Sequence, residues 1–284
     1  MSTTVFDRRD VDISGWRLHA RIRGRAGPLP TVVLESGGGG VQLPSWRSIE
    51  EALEPHTRVL SYERAGIGDS TGPLDSVRPE AVAQRLERLL QALDVTEPVI
   101  LAGHSIGGLY SRYFATTRPH RVAGLVLLDA TPEDLPFPRS MILASGIAFW
   151  AAHCLARMGV LKRLGLPPHQ IAAMGSRRHV KSVLAEIGAL RDIQADIAGL
   201  TPSIPLPTLA ISAGLKSGGS SRRFEQFRHS HHRLAAMGRA PHSRHLRIEG
   251  AQHMSMLTEP SHAHTVAAGI LDFARKISRH DTLG

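Results

Sequence analysis

The sequence predicts an α/β protein with a mostly parallel sheet that is flanked by helices. Short apolar runs of strand character alternate with amphipathic helical patterns along residues 31–131. The residues with candidate chemistry follow the carboxyl ends of those runs, where sheets of this class bind ligands. The 284 residues, 42% hydrophobic and 21% charged, suffice for one large core with an insertion.

Each predicted element follows from its own pattern. Residues 11–23 alternate apolar and polar side chains around a glycine-containing turn, which predicts a hairpin. Apolar runs between turn signals predict buried strands at 31–34, 58–62, 99–102, 122–128, 208–213 and 245–249. Apolar residues at helical spacing predict helices over 82–93, from 105 to about 117, and over about 260–278.

The alternation of strands and helices stops after Pro132. Residues 133–204 show helical patterns and no convincing strand, which predicts a helical cap (lid) inserted into a core formed by 1–132 and 205–284. Residues 141–152 of this cap carry no charge but fall short of the roughly twenty residues of a membrane span. We expect a cap helix whose apolar face covers a substrate cavity, with a peripheral membrane contact as the alternative.

Composition excludes several classes of partner. The formal charge of +9 comes mostly from arginines scattered along the chain, without the basic stripe or motif of a nucleic-acid module. The N-terminal residues contain no apolar segment of a secretory signal, so we expect a cytoplasmic protein with no stable membrane insertion. Residues 37–40 form too short a glycine pattern for a dinucleotide site, and no cofactor is predicted.

Ser105 is the candidate nucleophile. It lies in a G-x-S-x-G pattern that follows an apolar strand and directly precedes a helix, the setting of a strained turn that exposes a serine hydroxyl. The same pattern around Ser70 continues into Gly72 and Pro73, with no helix. The flanking elements, and not the five-residue pattern alone, therefore select Ser105.

His253 is the candidate general base among 16 histidines, because it alone lies between the terminal strand and the closing helix. A serine hydroxyl needs such a base, and the base needs a third group to hold its tautomer. His229, His231 and His232 form a cluster, but no carboxylate or cysteine joins it at ligand spacing, so no metal site is predicted.

With these motifs the chain resembles serine hydrolases of the α/β-hydrolase fold, of the capped esterase and lipase kind. The matching segments are 34–38, 62–70, 103–108, 127–129 and 250–253. The resemblance implies that Ser105 is the nucleophile and His253 the base. It also implies an oxyanion hole formed by the backbone N–H groups of Gly38 and Ile106.

The acid of the triad is where the sequence departs from the pattern. Its usual position follows strand 208–213, and residues 214–220 contain no carboxylate. Asp129, at the end of the previous strand, is the other position that members of this fold use, and we prefer it. Glu225, on the following predicted helix, is the alternative.

A second departure lies in the glycine-rich loop after the first buried strand. Glu35 occurs there, close to a position where many relatives carry a histidine. A carboxylate beside four glycines can hold the loop through hydrogen bonds. Arg64 in the neighbouring motif is a candidate partner for Glu35 or for Asp69.

The resemblance implies hydrolysis of a small-molecule carboxylic ester through an acyl-enzyme, without a metal or organic cofactor. The apolar cap favours a substrate with a hydrophobic acyl or alcohol part. The same triad also serves amide, lactone and carbon–carbon bond hydrolysis and peracid formation, and the fold does not select among them. A catalytically silent protein that binds a small ligand is the alternative from another class.

Overall fold

One eight-stranded sheet organises the protein. The computed structural model describes residues 7–39, 42–200, 204, 206–215, 221–238 and 242–281. The strand order is β1-β2-β4-β3-β5-β6-β7-β8, antiparallel at β1/β2 and β2/β4 and parallel elsewhere. The strands are β1 (Asp7–Ile13), β2 (Trp16–Arg23), β3 (Val32–Glu35), β4 (Val59–Tyr62), β5 (Val99–His104), β6 (Val122–Leu128), β7 (Thr208–Ala213) and β8 (Arg244–Ile248).

Helices cover both faces of this sheet. In chain order they are α1 (Gln42–Ser45), α2 (Arg47–Leu53), α3 (Pro79–Ala92), α4 (Ile106–Thr117), α5 (Arg139–Arg157), α6 (Val160–Arg163), α7 (Pro168–Gly175), α8 (Arg177–Ala198), α9 (Ser221–Ala236), α10 (Ser255–Thr258) and α11 (Pro260–Asp281). Trp46 and Phe273 belong to the hydrophobic cluster on one side of the sheet, and Leu89 and Phe114 to the cluster on the other. Every residue of β3, β4, β5 and β7 is buried, as expected for parallel strands covered on both faces.

The chain changes direction across the sheet at β3. It runs from β3 to β4 on one side and then crosses to β5 on the other, so that β3 and β5 are parallel neighbours with Glu35 opposite Gly103. Ligands of open α/β sheets bind in the crevice at such a switch point, outside the carboxyl ends of the strands. The loop after β3 and the turn after β5 meet there.

Helices α5 to α8 occupy the segment predicted as a cap. The described residues between 133 and 200 contain helices and no strand, as the sequence pattern predicts. Helix α8 joins this segment to the core, because Ile193 and Ile197 pack against Leu109 and Tyr110 of α4. The predicted boundary at 204 and 205 adjoins residues outside the described part, and the division into two domains stays a prediction.

Helix α5 agrees only in part with the expectation that its apolar face covers a substrate cavity. Met141, in its first turn, lines a cavity that contains Ser105. Leu143, Ile147 and Trp150 are instead exposed. The reason is that α5 packs mainly on α7 and α8, so much of its surface faces away from the sheet.

Candidate active site

Ser105 lies on a strained turn between β5 and α4. Its backbone has φ 55° and ψ −124°, in the left-handed half of conformational space that a side chain with a Cβ rarely adopts. Three hydrogen bonds hold this backbone. The N–H of Ser105 donates to the carbonyl of Leu128 at 3.1 Å, and the carbonyl of Ser105 accepts from the N–H groups of Thr131 and Gly108, both at 3.0 Å. Strain of this kind costs about 1–3 kcal/mol and persists where the surroundings determine it.

The two flanking glycines are required by close backbone approach. A Cβ on Gly103 would lie 2.4 Å from the carbonyl oxygen of Gly107. A Cβ on Gly107 would lie 2.4 Å from the carbonyl oxygen of Glu35, the last residue of β3, and 2.5 Å from that of Ser36 in the loop that follows. The glycines of the motif therefore allow α4 to start directly behind Ser105 and allow the β3 loop to approach it.

His253 and Asp129 are brought together from positions 124 residues apart. Nδ1 of His253 donates to Oδ2 of Asp129 at 2.6 Å. The other carboxylate oxygen accepts from the N–H of Ala213 at 3.1 Å, and the N–H of Asp129 donates to Ile211 at 2.7 Å. With Nδ1 occupied as a donor, Nε2 of a neutral His253 is left as the proton acceptor.

The environment of Asp129 keeps its carboxylate ionised. Burial alone would raise the pKa of Asp129, but the hydrogen bond from His253, the nearby His231 and the hydrogen bond from Ala213 outweigh it, and the pKa falls to about 2. Asp129 also has φ 40°. Like Ser105, it is a non-glycine residue whose unusual backbone is held by neighbouring strands.

Glu225, the alternative acid, lies elsewhere. Its carboxylate is exposed and pairs with Arg228, one turn further along α9, at 3.1 Å. It lines a surface depression together with Asp134 and His232. Of the loop in which an acid is usually found, residues 216–220 lie outside the described residues.

The β3 loop approaches Ser105 as the predicted oxyanion loop requires. A Cβ on Gly37 would lie 3.2 Å from the Cβ of Ser105, and a Cβ on Gly38 would lie 3.4 Å from Cγ2 of Ile106. The two residues whose N–H groups are predicted to form the oxyanion hole are thus neighbours. Gly40, the last glycine of the run, lies outside the described residues.

Arg64 links this loop to the cap. Its Nη1 donates to Glu35 Oε1 and to the carbonyl of Ser36, both at 2.6 Å, and its Nη2 donates to the carbonyl of Gly37 at 3.1 Å. On its other side, Nε and Nη2 donate to the carboxylate of Glu186 on α8 at 2.7 and 2.9 Å. The sequence offered Glu35 as a partner of Arg64 but gave no sign of Glu186.

The charges around Arg64 are buried. Burial alone would lower the pKa of the Arg64 guanidinium, but attraction to Glu186 and Glu35 raises it well above its usual value. Burial raises the pKa of Glu35, against the attraction of Arg64 and a hydrogen bond from Tyr62. A permanently charged guanidinium therefore pairs with two carboxylates, Glu35 in the core and Glu186 in the cap.

His104, inside the serine motif, packs against His253. Its ring lies 4.4 Å from the ring of His253, centroid to centroid, and its Nε2 donates to the carbonyl of His253 at 3.1 Å. Burial and the neighbouring His253 lower the pKa of His104 to about 3, so the ring is neutral. Trp46 packs against its other side edge-on, at 6.4 Å.

His231, from the predicted histidine cluster, lies behind Asp129. It is fully buried, its Nε2 donates to the carbonyl of Ala130 at 3.0 Å, and its Nδ1 is 4.0 Å from Asp129 Oδ1. The signal that could have found it is periodicity, because His231 continues the apolar face of Phe227 and Leu234 on α9. Among the described residues no group of three or more His, Cys, Asp or Glu side chains could hold a metal ion.

Two cavities open beside Ser105 and His253. One, of about 120 Å³, lies on the oxyanion-loop side. The other, of about 400 Å³, lies towards the cap and α9 and is mainly apolar. Besides Ser105, Asp129 and His253, the larger cavity is lined by Thr131, Phe137, Met141, Leu215, Arg223, Phe224 and Phe227.

Known proteins are similar to this chain in sequence and in fold. A family model described as alpha/beta hydrolase fold matches residues 30–148. "Putative carbamate hydrolase RutD" of Klebsiella pneumoniae (strain 342) is 30% identical over 200 residues, which cover 65% of this chain and 73% of that protein. "Probable transporter efuK" of Hormonema carpetanum is 33% identical over 138 residues, which cover 46% of this chain but only 20% of that protein.

Among solved structures, the crystal structure of wild-type Cfl2 from Burkholderia cenocepacia superimposes with a TM-score of 0.71. The alignment covers 95% of each chain at 21% sequence identity. At that identity the similarity is evidence for the fold.

Proposed function

The chain belongs to the α/β-hydrolase fold family, and from this membership we propose that it is a serine hydrolase that cleaves a carboxylic ester through an acyl-enzyme. The observation that carries the proposal is the 2.6 Å hydrogen bond from His253 to Asp129, beside cavities that Ser105 also lines. A buried carboxylate that fixes the tautomer of a histidine near a strained serine supports nucleophilic catalysis.

In the proposed reaction His253 acts as the base. Its Nε2 takes the proton of the Ser105 hydroxyl as the oxygen attacks the ester carbonyl, and Asp129 stabilises the resulting imidazolium. The oxyanion of the tetrahedral intermediate accepts hydrogen bonds from the N–H groups of Gly38 and Ile106. Its collapse returns the proton from His253 to the leaving alcohol and leaves the acyl group on Ser105.

Water completes the cycle on the same groups. His253 removes a proton from the water that attacks the acyl-enzyme, the second tetrahedral intermediate collapses, and Ser105 recovers its proton as the acid leaves. The mainly apolar lining of the larger cavity supports a substrate whose acyl or alcohol part is hydrophobic. The smaller cavity leaves room beside the oxyanion loop for the part of the ester that the larger cavity does not hold.

A second candidate reaction is carbamate cleavage, because a relative at 30% identity is named as a carbamate hydrolase. It would use the same nucleophile, base and oxyanion donors, with nitrogen in place of carbon on the acyl side of the carbonyl. The two reactions differ in what the larger cavity must hold.

The test is turnover of a p-nitrophenyl ester series from acetyl to palmitoyl, and of a matched N-alkyl carbamate, by wild type and Ser105→Ala. We expect turnover that peaks at one acyl length and is lost in Ser105→Ala. Ser70→Ala is the matched control, since Ser70 lies in the second G-x-S-x-G pattern but its hydroxyl is buried and donates to the carbonyl of Glu63 at 2.6 Å. Ser70→Ala should melt earlier and still turn over substrate.

Three outcomes would contradict the proposal. Equal activity of wild type and Ser105→Ala would exclude Ser105 as the nucleophile. Faster carbamate than ester turnover would favour the second reaction. No turnover together with no fluorophosphonate label on Ser105 would indicate a protein that only binds its ligand.

A further inference from the structure

Helix α5 carries an apolar surface that the fold leaves uncovered. Of its 19 residues only Ala156 is buried. By length and composition it is the one helix among the described residues that could cross a membrane. We call Leu143, Ile147 and Trp150, together with Met158 directly after the helix, the α5 face; their exposures are 65, 59, 58 and 72%. A contiguous apolar surface on a folded domain indicates an interaction site.

The α5 face has a regular geometry. Leu143, Ile147 and Trp150 follow one another at intervals of four and three residues, so they share one side of the helix. Arg139 and Arg157, at the two ends of α5, lie on that same side because they are four residues before Leu143 and seven after Trp150. The surface is therefore an apolar strip, with a tryptophan in it and a cation at each end.

The segment of sequence that contains the strip carries charges of one sign. Residues 135–185 contain seven lysines and arginines and no aspartate or glutamate. All seven basic side chains are exposed; they are Arg139, Arg157, Lys162, Arg163, Arg177, Arg178 and Lys181. A partner that fits this region must be apolar where it meets the strip and negatively charged around it.

We propose that the α5 face docks on a bilayer surface that contains anionic phospholipids. Its apolar side chains would enter the boundary between headgroups and acyl chains, and the surrounding cations would contact the phosphates. A second copy of this chain fits less well, because it would bring two basic surfaces together with no acidic residue in 135–185 to compensate.

The contacts of α5 within the protein determine how the helix would lie relative to the bilayer. It packs on α7 and α8, and Nδ1 of His153 donates to the carbonyl of Met174 at 2.6 Å. A membrane-crossing α5 would have to leave these contacts, whereas a helix that lies flat keeps them. Because Met141 in the first turn of α5 lines the larger cavity, docking would bring that cavity near the lipid surface.

The test is flotation of the full chain with vesicles. On vesicles of phosphatidylglycerol and phosphatidylcholine we expect a partition coefficient at least about tenfold higher than on phosphatidylcholine alone, because several cations near an anionic surface each add to binding. High salt should abolish the difference, since it screens exposed charges. Equal partition on both vesicle types would overturn the proposal.

Substitutions on the α5 face test whether it is the surface that binds the vesicles. Ile147→Ser with Trp150→Ser should lower partition on the anionic vesicles at least about tenfold, as should Arg157→Gln with Lys162→Gln and Arg163→Gln. The matched control removes three exposed arginines outside the cap, in Arg25→Gln with Arg88→Gln and Arg275→Gln, and should change partition far less. An equal loss in the control would mean that net charge alone binds the vesicles, which overturns the proposal.

Two further measurements separate this proposal from its alternatives. If the double serine variant turns a dimer into a monomer in light scattering while wild type does not bind vesicles, the α5 face is a homodimer interface and the proposal is wrong. Ser105→Ala should bind vesicles as wild type does. Vesicle binding without esterase activity would therefore leave this inference standing and reject only the proposed function.

Discussion

The strand ends of the sheet and helix α5 are built in opposite ways. At the strand ends, Ser105 and Asp129 both have positive φ and are fixed by hydrogen bonds to adjacent strands. In α5 one residue of 19 is buried, and the large apolar side chains face outwards. The first region fixes the backbone of two residues through hydrogen bonds, and the second presents an apolar surface.

This difference separates two tasks. Strained residues need rigid surroundings, and the buried strands on both sides supply them. A helix whose exposed face makes few contacts with the core can change its side chains with little effect on the sheet. We therefore expect substitutions at the strand ends to change rate and stability, and substitutions on the α5 face to change where the protein binds.

The largest effect should come from Asp129→Asn. The amide can no longer hold His253 in the tautomer that accepts a proton from Ser105, and kcat/KM should fall by about 10³–10⁴. Glu225→Gln, at an exposed carboxylate paired with Arg228, should stay within a few-fold of wild type. Ester kinetics on both variants, with melting temperatures, provide the check; the reverse ranking would make Glu225 the acid.

A smaller effect is expected where the two regions are joined. Glu186→Gln removes one of the two carboxylates that Arg64 contacts in a buried site. Loss of one partner from a buried ion pair costs several kcal/mol, and since Glu35 still pairs with Arg64 we expect a loss of roughly 2–3 kcal/mol in the free energy of unfolding.

Denaturant unfolding measures this loss, again with Glu225→Gln as the exposed control, for which less than about 1 kcal/mol is expected. If the two variants lose equal stability, the Arg64 link does not hold the cap to the core. In that case the apolar contact of α8 with α4 is sufficient.

The third effect appears only as a dependence of stability on pH. Glu63, in the loop after β4, is buried, and burial raises its pKa from 4.5 to about 7, although the N–H of Asp69 donates to it. Because the folded pKa lies above the unfolded one, the folded state binds more protons between these values. Stability is therefore lost as pH rises from 4.5 to about 7.

Glu63→Gln should remove this dependence. We expect wild type to lose about 2–3 kcal/mol relative to the variant between pH 5 and pH 8, measured by denaturant unfolding at both values. The exposed cations of the cap should contribute little to the pH dependence of stability. Lys162→Gln with Arg163→Gln should therefore keep the wild-type pH profile. A flat wild-type profile would mean that Glu63 is not desolvated as its burial indicates.

Much of the fold and site follows from local patterns. Ser105 and His253 could be proposed as site residues because a strand, a turn and a helix each leave a signal in a few consecutive residues. Asp129 could be preferred over Glu225 only from its position at a strand end. Its hydrogen bond to His253 joins distant segments and has no periodicity in the sequence.

The rest depends on contacts between distant segments. Glu186 meets Arg64 across 122 residues, and one carboxylate on an amphipathic helix gives no sign of that partner. The exposed α5 face was expected to cover the cavity because an apolar run has the same composition whether it covers a cavity or faces outwards. Only the packing of α5 on α7 and α8 distinguishes the two.

The left-handed backbone at Ser105 has a consequence for how such an enzyme can evolve. Glycine at this position would relieve about 1–3 kcal/mol of strain, against about 0.5–1 kcal/mol for the extra freedom of the unfolded chain. A descendant with glycine in place of Ser105 would therefore gain stability as it lost the nucleophile. Where selection no longer maintains the reaction, the stability gain favours variants that keep the fold and lack the activity.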